Sequence, residues 1–321
     1  NGETILSVKA TVSELARRFA RPEAEIDALL SAAREKMYAA RSRRVRPGTD
    51  DKLLTDWTAL AISAFALAGS VLAEPRYEAA ARLAADRILE RCRAGSELLH
   101  REKGGRSGIP GFASDYAFLV EALLDLYEAT FEPRYVRAAL EIEKAFEERF
   151  ADPRGGFFLA AQGHDGLILR PKESADGALP SSNSVAAMNL LRLSALTGEA
   201  RYRERAGGIF EAFSGYLHRA PAAVPRLLCA LDFATGTVRE VVLSGELGRP
   251  DFEALRSAVF ASPGLNRVLI HADAAESLAD ATPLVLGRAA EDARAEAFVC
   301  ENFACRRPTS DPKELAAALD A

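Results

Sequence analysis

Glu74-Pro75-Arg76-Tyr77, Glu132-Pro133-Arg134-Tyr135 and Glu199-Ala200-Arg201-Tyr202 are three copies of one mark, set 58 and 67 residues apart. A polar helix start precedes each mark by 16 to 19 residues: Thr55-Asp56-Trp57, Ser114-Asp115-Tyr116 and Ser181-Ser182-Asn183. A repeat of this length signals a stacked supersecondary unit, here helix, turn, helix. The first helix of each pair is apolar. Leu60, Ala61, Ile62, Phe65 and Leu67 in the first predict a helix buried all round. The second helix of each pair is charged on one face, as Arg76, Glu78, Arg82, Asp86 and Arg87 show. Apolar helices inside and wet helices outside are the layout of an α/α toroid.

Working outward, the links from each pair to the next read as β-hairpins. Gly104-Gly105 marks one, and Gly163-His164-Asp165-Gly166, between Phe157-Phe158-Leu159 and Leu167-Ile168-Leu169, marks the other. Upstream, a short helix from Thr11 and a second opening at Pro22 are predicted, the second ending in a basic run from Arg34 to Arg46 that reads as a solvated face. Downstream of residue 236 the period changes. Strands near 238–244, 266–272 and 297–300 alternate with helices at 251–260 and 311–319, which predicts a small α/β unit with some parallel pairing. The domain reading is therefore 1–236 helical hairpins and 237–321 α/β.

The 321 residues carry a net charge of −5, 49% hydrophobic and 27% charged side chains. That composition is ordinary for a globular protein and gives no electrostatic reason to bind nucleic acid or an acidic membrane. No apolar run approaches the roughly 18 residues that span a bilayer. Asn1 stands where Met would start a primary product, so the chain reads as a mature or excised piece. Four cysteines make no disulfide framework, and the default reading is a cytoplasmic protein. Cys92 and Cys229 read as small core residues.

Several ordered blocks resemble a known family: Thr55-Asp56-Trp57, Asp115-Tyr116-Ala117-Phe118-Leu119, Gly155-Gly156-Phe157-Phe158, Arg170-Pro171-Lys172, Asp176-Gly177-Ala178, Asn183-Ser184-Val185-Ala186 and Cys300-Glu301-Asn302-Phe303-Ala304-Cys305. The family is the DUF255 (YyaL-like) thioredoxin-domain-containing proteins, related to the mammalian spermatogenesis-associated thioredoxin-like protein. The resemblance implies a mainly α fold, part of a six-hairpin, (α/α)6 glycosidase-like barrel, and a thioredoxin-like domain as partner in cis or in trans. It covers nearly the whole chain and matches the C-terminal half to two-thirds of a family member. Thr58-Ala59, Ser182 and Ser174-Ala175 depart from the family pattern beside the presumed site.

In an α/α toroid the N-termini of the inner helices converge at one end, where N–H groups are unpaired and the helix dipoles are positive. Asp56, Asp115 and Asn183 fall at these starts, and Asp176 lies in the connection to the third. The expectation is a carbohydrate-active or sugar-binding site without a cofactor. Asp56 and Asp115 are its candidate catalytic carboxylates, Trp57 and Tyr116 its stacking platform, and Arg170, Lys172, Asp176 and Asn183 its binders of substrate polar groups. A glycosidase needs two carboxyls about 5 to 9.5 Å apart. The same aspartates serve equally as helix caps, which leaves a non-catalytic scaffold as the alternative function. No histidine is expected at an inner-helix start, which argues against epimerase chemistry. Cys300 and Cys305, with four residues between them, fit neither a thioredoxin motif nor a zinc site. They read either as two thiols or, with the family's thioredoxin-like domain in view, as a redox pair. No metal ligand set is expected.

Overall fold

The computed structural model describes residues 7–163, 167–173, 175–262, 264, 266–272, 278–288 and 294–320. Two compact units divide at Asp51/Lys52. The helical hairpins and the C-terminal sheet thus share one unit, although the hydrophobic period changes at residue 236.

The first unit is a helical pair, α1 (Val12–Phe19) and α2 (Glu23–Ser42). A capping box starts α1: Thr11 Oγ1 accepts the Glu14 N–H, and Glu14 returns a carboxylate to the Thr11 N–H at 2.7 Å. The basic end of α2 is exposed, as its composition predicts.

The second unit opens with β1 (Leu53–Leu54), α3 (Thr55–Val71), α4 (Pro75–Arg91), β2 (Arg93–Ala94), β3 (Glu97–Lys103) and β4 (Arg106–Pro110). Four further helices complete two more hairpins: α5 (Ala113–Thr130) with α6 (Pro133–Phe150), and α7 (Ser182–Thr197) with α8 (Ala200–Ala212). Then follow α9 (Ser214–Arg219) and α10 (Pro225–Thr235). The repeated mark builds the start of each outer helix. Its Glu is the N-cap residue, and its Arg reaches back to that carboxylate, at 3.4, 2.6 and 2.5 Å in the three copies. The same guanidinium lies over the Tyr ring, 4.9, 4.5 and 4.4 Å from its centre.

Helices α3, α5, α7 and α10 pack in a row, with α4, α6 and α8 behind the first three. The protein is therefore mainly α, an arc of α/α hairpins, as the repeat predicts. Central α5 buries 15 of its 18 residues. The first inner helix departs from expectation. It packs on α4, α5 and α11 (Pro250–Ala261), and its remaining face, with Trp57, Phe65, Leu67, Val71 and Leu72, is exposed. An all-apolar sequence marks an inner helix here but not one enclosed on both sides.

The first predicted hairpin is present: β3 and β4 pair antiparallel around Gly104-Gly105, both at positive φ. The second is not. The Phe157 N–H and C=O are both bonded to the Asn183 amide, and its ring stacks on Phe146 at 4.2 Å. Phe158 donates to the Phe150 carbonyl at the end of α6, and Leu167, Ile168 and Leu169 are exposed. His164, Asp165 and Gly166 lie outside the described residues. Gly155, at φ +94°, approaches α8 so closely that an added Cβ would sit 2.1 Å from the Gly208 oxygen.

The C-terminal part is a mixed sheet of β5 (Arg239–Ser244), β6 (Arg267–His271), β7 (Glu296–Glu301) and β8 (Ala304–Cys305), in the order β6-β5-β7-β8. Strands β5 and β6 are parallel across the α11 crossover, β7 is antiparallel to β5, and α12 (Pro312–Asp320) packs on α11 and β7. No helix among the described residues is long and apolar enough to cross a membrane. Cys92 is buried as predicted, whereas Cys229 is exposed.

One buried group sets a pH dependence. Glu143 on α6 is 1% exposed and neither carboxylate oxygen has a hydrogen-bond partner among the described residues. Burial, aided by the charge of Glu147, pushes its pKa from 4.5 up to about 8. The folded chain then holds a proton that the unfolded chain has lost, so stability falls as pH rises from 4.5 towards 8. Glu143→Gln should remove that slope and melt higher than wild type at pH 8. Parallel melting curves at pH 5 and pH 8 for both proteins check it.

Candidate functional site

Each inner helix begins beside the next. Strand β1 pairs with β3, and the Thr55 hydroxyl donates to the Leu99 carbonyl at 2.6 Å, which fixes the start of α3 against that strand. The Asp56 N–H crosses to α5 and donates to Asp115 Oδ1 at 3.0 Å. Asp115 Oδ2 accepts the Phe112 N–H at 2.7 Å, so one carboxylate with no exposed surface caps two helices. Ser114 donates its hydroxyl to Asp56 Oδ2 at 3.1 Å, and the Trp57 N–H donates to Asp56 Oδ1 at 2.8 Å.

His100, on β3, closes this cluster. Its Nδ1 lies 3.1 Å from both oxygens of Asp115, and its ring meets Phe112 edge-on at 5.3 Å. The hydrogen bond to Asp115 raises the His100 pKa above 6.5, against the opposing effect of burial. Burial first, and the Asp115 charge second, raise the Asp56 pKa above 3.8. Both groups therefore keep a proton to higher pH than they would in water.

Asp56, His100, Phe112, Ser114, Asp176 and Ser182 stand in the wall of one cavity of about 580 Å³. The starts of α3, α5 and α7 meet there, as the repeat predicts. Asp176 accepts the Ser181 N–H on one oxygen and the Arg226 N–H on the other, both at 2.8 Å, and so ties the loop to the starts of α7 and α10. Ser182 is buried, and its hydroxyl has no hydrogen-bond partner among the described residues.

Other expected site residues do not reach the cavity. Trp57 is 60% exposed and outside its wall. Tyr116 is buried, stacks on Phe146, and accepts the Leu98 N–H on its hydroxyl at 2.9 Å, so the expected stacking platform does not form. The cavity's aromatic wall is Phe112 and Phe118 instead. Arg170 donates to the Ala160 carbonyl and covers the Phe158 ring. Lys172 donates to Asp152 and to the Gly155 carbonyl, both at 2.8 Å, holding the Asp152 carboxyl well below the usual carboxylate range. Asn183, fully buried, binds the Phe157 N–H and C=O and the Glu173 carbonyl. These three fasten the 151–183 loop. Cys300 and Cys305 are joined as a disulfide and take no part in the cavity.

His100 is the residue that sequence reasoning missed, and it corrects the expectation that no histidine reaches an inner-helix start. Its signal is alternation: Leu98 and His100 share one side of β3, and Leu98 is core. Ligand atoms of Asp56, His100 and Asp115 lie within 4.8 Å of one another, close enough to hold a metal ion. Their four carboxylate oxygens already accept one protein N–H or O–H each, and Asp115 engages His100 Nδ1. The cluster is complete as a hydrogen-bonded network.

Comparison with known proteins gives partial cover. No family model matches the chain. It is 34% identical over 335 residues to human spermatogenesis-associated protein 20, spanning 98% of this chain and 42% of that protein. An uncharacterized protein of Caenorhabditis elegans is 30% identical over 304 residues, spanning 91% of this chain and 41% of the other. The chain thus spans about two fifths of the length of these relatives. Among solved structures, a cellobiose 2-epimerase from Spirochaeta thermophila superposes with a TM-score of 0.43 at 20% identity, over 53% of this chain and 44% of that one. A family 76 α-mannanase of Bacteroides thetaiotaomicron gives 0.46 at 14% identity, over 67% and 53%.

Two substitutions test the geometry. Asp115→Asn should move the His100 titration midpoint down, and histidine ring NMR across pH 5–8 reads it directly. Asn183→Ala leaves two carbonyls and one N–H without their partner, and should cost about 3 kcal/mol in thermal unfolding.

Proposed function

We propose that this cavity is an acid/base site for a hydroxyl-rich, sugar-like small molecule, in which Asp56 and His100 exchange protons with the ligand. The observation that carries the reading is His100 in the cavity wall beside Asp56, held from behind by the buried Asp115. Asp115 is buried and bonded to two N–H groups, so it acts as a positioning residue for the imidazole. It holds His100 through Nδ1 and leaves Nε2 for the ligand. A carboxyl and an imidazole within 4.8 Å suit proton transfer between neighbouring atoms of a hydroxy-carbonyl compound, with one as base and the other as acid. Asp56 and Asp115 do not frame the cavity as a glycosidase pair would, because Asp115 is engaged by His100.

The same proposal places the chain in the DUF255 type of thioredoxin-domain-containing protein, supported by its similarity to spermatogenesis-associated protein 20. A thioredoxin-like domain would then work beside it, in cis or in trans. The competing reading is a non-catalytic scaffold. It is favoured by the number of polar residues here that fasten backbone, Asp176 and Asn183 above all.

Thermal shift against neutral mono- and oligosaccharides separates the two. A ligand at 100 times its dissociation constant stabilises by about 2.7 kcal/mol. The expected result is a sugar-dependent rise in melting temperature that His100→Gln abolishes, with solvent deuterium entering the bound sugar. A flat panel on folded protein supports the scaffold. A rise with divalent cations alone, reversed by chelator and lost in His100→Gln, assigns the cluster to a metal.

A further inference from the structure

The β7–β8 hairpin reverses through Asn302 and Phe303, both in the left-handed region at φ 51° and 64°. Asn tolerates that conformation; a bulky Phe adopts it only when held there. Three contacts at the turn bear on that conformation. Cys300 and Cys305, directly opposite in the ladder, are joined as a disulfide. The Phe303 N–H donates at 3.2 Å to Glu240, a buried carboxyl on the neighbouring strand opposite Cys300. The Phe303 ring lies against Gly198, the left-handed cap of α7, where an added Cβ would sit 3.3 Å from the ring.

The two sulfurs differ. Cys300 is fully buried, whereas Cys305 is exposed and has the Arg288 guanidinium at 3.0 and 3.2 Å from its Sγ. A nearby cation favours thiolate chemistry at that atom.

We propose that Cys300–Cys305 is a thiol–disulfide exchange site, entered through Cys305 by a small dithiol, and that its reduction releases the Phe303 turn from Gly198. One thiolate of the reductant attacks Cys305 Sγ. The S–S bond breaks, and its electron pair goes to Cys300 Sγ, which takes up a proton. The second thiol of the reductant then attacks the mixed disulfide and displaces Cys305 as a thiolate beside Arg288. The dithiol leaves oxidised as a disulfide, and the protein gains two thiols. With the covalent tie gone, the Glu301–Ala304 ladder pair, the Arg306–Glu301 ion pair, the Glu240 hydrogen bonds and one ring contact are left to hold a Phe in an unfavourable conformation, and the turn opens.

Native-state alkylation with mass readout tests this, because the other cysteines are internal controls: Cys229 is exposed and Cys92 buried. The folded protein should take one label before reduction and three after dithiothreitol. Amide exchange at 301–304 should quicken in the reduced form, and Arg288→Gln should slow reduction several-fold. Three labels before reduction, or one label after it, overturn the exchange site. Labelling of Cys92 as well means that reduction unfolds the chain rather than the turn. Unchanged amide exchange at 301–304 in the reduced protein overturns the release.

Discussion

A carboxylate with no exposed surface holds the centre of this protein. Asp115 accepts the first N–H of its own helix entry and an N–H from the neighbouring inner helix, and it takes the imidazole of His100 against both oxygens. Burying a charge without partners is expensive, so such a group persists only where donors converge on it. Here the donors come from α3, from the residue before α5 and from β3. The register of β3 against β1, the approach of α3 to α5 and the placement of His100 are all conditions for satisfying one side chain.

The other side of the cavity is organised by the long connection from α6 to α7, which contains no strand among its described residues. Asn183 reaches back 26 residues to bind both backbone groups of Phe157, and also holds the Glu173 carbonyl. Lys172 neutralises Asp152 at the foot of the loop, while Arg170 caps the Ala160 carbonyl over the Phe158 ring. Asp176 joins the loop to the starts of α7 and α10. A loop this long needs internal partners for its polar groups when it packs on a core, and these side chains supply them. They were candidates for ligand binding in the sequence because they are polar and near the helix starts. They are bound to backbone for the same reason.

How much was legible follows from range. The repeated Glu-x-Arg-Tyr mark, the apolar and wet helices and the glycine turn at 104–105 are local signals, and each became the element it predicts. The α/β period after residue 236 did so too. Among its described residues the segment 157–169 forms no ladder, and a residue 26 positions away binds the Phe157 backbone, which no local pattern carries. The exposed face of α3 was invisible because an apolar helix reads alike whether it has neighbours on one side or two. Cys229 misled in the same way, since small apolar neighbours do not say which face of α10 meets the core. At the site, helix starts gave Asp56 and Asp115 by position, but their division of labour depends on burial. One is enclosed and saturated, and the other stands in the cavity wall.

That division bears on function. Every inner helix leaves N–H groups unpaired at its start, and a fold that gathers several starts at one place must bring acceptors there. Asp115, Ser181 and Asp176 meet that need, and an arc of hairpins with no ligand at all would require groups like them. Their presence therefore cannot distinguish a site from a scaffold. His100 can. No helix needs an imidazole as a cap, and its Nδ1 makes a demand on Asp115 beyond the two N–H groups already bound. His100 stands in the wall of the cavity beside Asp56, and the proposed acid/base reading rests on it.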